Sequence, residues 1–172
     1  MSRVARLRED ELDAEQKAVA AAIAGARNGV VGGPFAVWLR VPEIAKRVDH
    51  LSDRLRTNSQ FERRVVELIV LLMVAPWQAQ YAWNTHATQA REVGLSAAVI
   101  EAIRAGTSPP FERDDERVIY DVFSELNRTR ALSDATYARG LATFGLDAMI
   151  EMVTTAGLYT MIAMMLAVFD GS

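Results

Sequence analysis

The residues of this chain best placed to move a proton are Glu67 and His86, nineteen positions apart. Glu67 sits inside an apolar run, E-L-I-V-L-L-M-V, and His86 closes the aromatic segment Q-Y-A-W-N-T-H. A carboxylate among Val66, Leu68, Ile69 and Val70 needs a partner, because an unpaired buried charge is costly. An imidazole can be that partner, and an imidazole held by a carboxylate can serve as a general acid. Glu67 lies nine residues before Pro76 and His86 ten after it. A tight helical hairpin at Pro76 therefore sets them at similar heights on facing helices. Helical spacing groups Ala79, Ala82, Trp83, His86 and Ala90 on one face, with the alanines leaving room beside the ring and Trp83 as an apolar wall. Tyr81 falls about 140° round from His86 and reads as a neighbour from the side.

The elements that must carry these residues are helical throughout. Asp13 is a predicted N-cap with Gln16 in capping-box position, and Ala18, Val19, Ala22, Ile23 and Ala26 follow at helical spacing until Asn28-Gly29. Gly32-Gly33-Pro34 makes a turn before F-A-V-W-L-R, a short helix or extended piece that ends at Pro42 and holds Trp38 and Arg40. Pro42 starts a helix whose predicted apolar face is Ile44, Val48, Leu51 and Leu55. Phe61 to Ala75 is too apolar for a surface helix and is predicted to be central. Pro76 suits the first turn of the next, over 76–93, which Gly94 ends. Ser96 caps a short helix to Ala105, with Ile100 and Ile103 inward. Over 112–130, Val118, Ile119, Val122, Phe123 and Leu126 share a face; Ser133 caps a helix carrying Tyr137, Leu141 and Phe144, which Gly145 ends. The last helix, about 147–169, is apolar nearly all round and must be covered. No segment alternates as a strand does. Apolar pairs precede both Glu67 and Glu151, which admits a duplicated helical hairpin.

Composition narrows the classes. The 172 residues fit a single domain over 1–172, with residues 1–12 as a flexible or interface arm. An apolar fraction of 51% with mean hydropathy +0.06 points to helix surface covered by a second subunit. Net charge −3 gives no basic stripe for nucleic acid. The N-terminus lacks the apolar core of a signal peptide, and the runs near 65–76 and 156–169 are too short or too interrupted for a membrane span, so a cytoplasmic protein is expected. Two isolated histidines make no case for a metal.

The chain resembles the carboxymuconolactone decarboxylase family, which shares the alkyl hydroperoxidase D-like fold. The resemblance rests on G-P-F-A-V-W-L-R-V-P-E at 33–43, the Glu67 helix, Q-Y-A-W-N-T-H-A at 80–87 and A-R-E-V-G-L-S at 90–96. It continues through A-I-R-A-G and P-P-F at 102–111, L-S-D-A-T-Y at 132–137 and the T-T-A-G-L-Y-T-M-I-A-M-M-L-A-V-F tail. It implies an all-α bundle of roughly eight to nine helices that assembles into homo-oligomers, trimers or hexamers. The peroxidase branch carries a C-x-x-C pair before the histidine, where this chain has Ala79 and Ala82. With no cysteine anywhere in it, thiol peroxidase or disulfide chemistry is excluded.

The decarboxylase branch also lacks that pair and carries Y-x-W-x-x-H here. The resemblance therefore implies a cofactor-free carboxy-lyase acting on a small carboxylated lactone such as 4-carboxymuconolactone, in aromatic catabolism. Such a reaction needs a desolvated carboxylate, a donor for the developing enolate and a proton returned to carbon. Glu67 and His86 are the expected acid–base pair, with Tyr81 as accessory donor. Trp38, Trp77 and Trp83 are expected to wall the substrate, and Arg40 to bind its carboxylate, with Arg63 and Arg64 as alternatives. The competing reading is a non-catalytic helical oligomer or small-molecule binding protein in which Glu67–His86 only pins a hairpin. In it the tryptophans are core or interface, and Met149, Met152, Met161, Met164 and Met165 pack at a subunit contact. His50 reads as a solvated helix residue, and the acidic run from Glu112 to Glu116 as a charge cluster favoured by a helix dipole.

Overall fold

Proline, glycine and short polar side chains set where the helices of this chain start and stop. The computed structural model describes residues 3–25, 29 and 31–169. Among them are nine α-helices and no strand. The chain divides into two compact units, one formed by residues up to Asn58 with the chain from Met164 onward, the other by Ser59–Ala163.

In the first unit, helix α1 (Ala14–Gly25) opens on the expected capping box. The Gln16 amide donates to Asp13 Oδ1 at 2.8 Å, and Gln16 Oε1 accepts from the Asp13 amide at 3.0 Å. The stop predicted through Ala26 and Asn28 lies outside the described residues. Helix α2 (Pro34–Trp38) and helix α3 (Pro42–Thr57) each place proline at the first turn, where a missing N–H leaves no carbonyl unserved. The α3 face is turned from the predicted one. Ala45, Val48, Ser52 and Leu55 are buried, while Ile44 and Leu51 are exposed. The stripe 45–48–52–55 is an i, i+3, i+4 series in its own right, and its small residues let α1 and α3 pack.

The second unit is built on helix α4 (Arg63–Val74), in which every residue from Val65 to Val74 is buried. It packs against α5 (Gln80–Glu92), α6 (Ala97–Ala105) and α7 (Asp114–Thr129). The expectation of a central helix is met. Pro76, however, does not open α5: it lies in a separate 3-10 turn, Ala75–Trp77, followed by Gln78 at φ +52. A left-handed residue interrupts the helical run, and α5 begins only after it. Gly94, at φ +88, ends α5 with the Leu95 amide on the Ala90 carbonyl at 2.9 Å.

Helix α8 (Asp134–Phe144) starts on Ser133, whose hydroxyl accepts from the Thr136 amide at 3.3 Å. Tyr137 and Leu141 are exposed on it; Gly140 is its buried residue, and Phe144 meets Phe61 edge to face at 6.0 Å. A Cβ at Gly140 would stand 2.8 Å from the Met149 sulfur, so this glycine allows α8 to approach helix α9 (Leu146–Phe169). Met149 and Met152 are therefore core residues of this unit and not the subunit contacts expected of them. By length and composition alone α9 could cross a membrane, yet it carries the buried polar residues Glu151 and Thr155.

Candidate active site

The site is assembled by two turns of α4 facing one turn of α5. Arg63 and Glu67 are four residues apart on α4 and so share a face. Arg63 Nε donates to Glu67 Oε1 at 2.8 Å and Nη2 approaches the same oxygen at 2.7 Å. The other oxygen, Oε2, lies 2.7 Å from His86 Nδ1. Arg63 Nη2 also donates to Gln89 Oε1 at 3.0 Å, one turn beyond His86. The contact between Glu67 and His86 expected from a hairpin is present, although the reversal is longer than the sequence indicates.

Exposure is graded across these groups. The Glu67 side chain is 1% exposed, His86 12% and Arg63 32%. A carboxylate this buried is tolerable because each of its oxygens has a cationic or N–H partner. An ionised carboxylate only accepts, so with Glu67 ionised this bond is donated by Nδ1. Nε2 is then the nitrogen that distinguishes the states of the ring, bare in imidazole and a donor in imidazolium. The ring meets Tyr159 of α9 edge to face at 4.9 Å, with the planes at 90°.

Tyr81 is 45% exposed, and its side chain makes no hydrogen bond to Glu67 or His86. Trp77 is 42% exposed on the 3-10 turn. Trp83 is buried, with the Arg104 guanidinium 5.9 Å from its ring centroid. Trp38 and Arg40 belong to the first unit. There Trp38 packs edge to face on Phe35 at 5.3 Å, and Arg40 Nη2 donates to the Ala5 carbonyl at 2.7 Å. Of the two alternative arginines, Arg63 is on Glu67 and Arg64 pairs with Glu116.

Three residues escaped the sequence reading in their present roles. Arg63 was visible at the i, i+4 spacing to Glu67, and Gln89 at i+3 from His86. Tyr159 gave no local signal, since it comes from a helix more than seventy residues away.

Two further carboxylates are structured. Glu151 Oε1 accepts from the Ser59 hydroxyl and from the Gln60 amide at 3.1 Å, which fixes the chain just before α4. Glu116 does more than favour the dipole of α7: it is buried and paired with Arg64. Burial pushes its carboxyl up against the opposing pull of Arg64, while a hydrogen bond from Arg113 holds Asp115 below the usual carboxylate range. Among the described residues no group of three or more His, Cys, Asp or Glu is arranged to hold a metal.

No family model matches this sequence, and no curated protein matches it either. A solved structure is similar in fold, that of an uncharacterized peroxidase-related protein from Silicibacter sp. TM1040. The two are 14% identical with a TM-score of 0.79, covering 98% of this chain and 90% of that one. That likeness agrees with the all-α, alkyl hydroperoxidase D-like architecture. It is a likeness of fold, and this chain has no thiol with which to perform peroxidase chemistry of the C-x-x-C kind.

Proposed function

We propose that this protein is a cofactor-free acid–base enzyme, a carboxy-lyase acting on a small carboxylated lactone of the 4-carboxymuconolactone type. The observation that carries the reading is the 2.7 Å bond between His86 Nδ1 and Glu67 Oε2, made by a carboxylate only 1% exposed. Loss of CO₂ sends an electron pair toward the lactone carbonyl. His86, protonated and oriented by Glu67, gives its Nε2 proton to the enolate so formed or to the adjacent carbon. A positioned general acid of this kind accelerates a reaction by roughly 10²–10⁴-fold. The resemblance in the segments around 33–43 and 80–96 supports the lactone as substrate.

The test is turnover of 4-carboxymuconolactone, followed by CO₂ release and lactone absorbance, with wild type and His86→Ala side by side. Turnover that depends on His86 supports the reading. A wild type that binds small carboxylic acids without releasing CO₂ would return the pair to the role of a structural pin in a binding protein.

A further inference from the structure

The mechanism just described uses Glu67 and His86 and leaves Arg63 and Gln89 unexplained. Glu67 divides its two oxygens between two N–H donors of different kinds. Oε1 takes Arg63 through both Nε (2.8 Å) and Nη2 (2.7 Å), and Oε2 takes the imidazole (2.7 Å). Gln89 Oε1 holds the same Nη2 at 3.0 Å from the helix that carries His86, so the guanidinium is fastened to both helices of the hairpin. Among the described residues, the charged and titratable groups seen against His86 or its carboxylate partner are Glu67 and Arg63 from α4 and Tyr159 from α9; its own helix contributes the neutral Gln89.

This arrangement has a consequence for the proton. A buried carboxylate facing an imidazole alone is balanced best when that imidazole is charged, and the resulting ion pair gives up its proton reluctantly. A permanently charged guanidinium on the second oxygen already balances the carboxylate. We infer that Arg63, latched by Gln89, is a positioning residue that competes with His86 for the charge of Glu67 and so lets the imidazolium release its proton to substrate. This rests on the reading of His86 as the proton donor.

The chain holds two histidines, and the other, His50, is exposed on α3, so the ¹⁵N spectrum of histidine-labelled protein has one signal set of interest and one internal reference. The experiment is a pH series of such spectra on the unliganded protein for wild type, Arg63→Gln and Arg63→Lys. Arg63→Gln keeps N–H donors and removes the charge. The imidazolium form of His86 is expected to persist to higher pH in Arg63→Gln than in wild type by about one unit, with His50 unmoved and Arg63→Lys returning toward wild type. Equal behaviour of His86 in all three proteins, or a displacement to lower pH, overturns the inference. If Arg63→Gln does not fold, Gln89→Leu removes the latch and keeps every charge. A smaller displacement in the same direction then supports the inference, and none overturns it. Because no substrate enters this measurement, a lactone that is not turned over counts against the proposed substrate and not against the coupling. Where turnover is present, Arg63→Gln lowers kcat and leaves KM unchanged.

Discussion

Glu67 Oε2 and His86 Nδ1 meet at 2.7 Å between two helices of one hairpin, and the carboxylate end of that contact is closed to solvent. A bond of this kind is expensive to break from one side. Glu67→Ala would leave a guanidinium and an imidazole facing a void, and removing one partner of a buried charge pair costs about 3–5 kcal/mol. Urea denaturation of Glu67→Ala against wild type checks this. Glu67→Gln, which preserves volume and an acceptor, is expected to lose less.

The two tyrosines near the site separate cleanly. Tyr81 stands on the exposed side of α5, so Tyr81→Phe should change stability by less than about 0.5 kcal/mol and leave the His86 resonances where they are. Tyr159 is buried with its ring against the imidazole, so Tyr159→Ala should cost about 3 kcal/mol or more and move those resonances. Thermal melts and the ¹⁵N spectrum read both.

Glu116 gives a pH dependence of opposite sign to most carboxylates. Burial raises its folded-state value above the unfolded one, so between the two the native state binds more protons than the unfolded state. Its contribution to stability is therefore greatest below the ordinary carboxylate value and declines as pH rises through the raised one. Denaturation midpoints measured from acid to neutral pH should show this decline in wild type and its absence in Glu116→Gln.

Gly140 tests how closely α8 rides on α9. In Gly140→Ala the new methyl meets the flexible end of Met149, and the better helix propensity, about 1 kcal/mol, offsets that displacement, so stability stays near wild type. Gly140→Leu has no such escape and should cost about 1–3 kcal/mol by overpacking. Chemical denaturation distinguishes the two.

The sequence made the helices legible because their ends are written in local chemistry. Asp13 and Gln16, Pro34, Pro42, Ser133 and Gly94 act through their own backbone neighbours. The pairing of Glu67 with His86 was legible because a buried acid demands a partner and the spacing around Pro76 supplies one. Faces were harder. On α3 the residues 44, 48, 51 and 55 satisfy helical period as well as 45, 48, 52 and 55 do, and only packing chooses between them. On α8 the contact with Met149 is made at Gly140, a residue with no side chain to mark a face, while Tyr137 and Leu141 lie exposed. Tyr159 was out of reach for a similar reason, since its meeting with His86 depends on where α9 lies against α5.

One assay tests the proposed role of His86 most directly. Purified protein and its His86→Ala variant are incubated with 4-carboxymuconolactone while CO₂ release and lactone absorbance are followed. Wild-type turnover that falls roughly 10²–10⁴-fold in His86→Ala is the predicted result. Turnover in His86→Ala within a few-fold of wild type, or none in wild type, would contradict it.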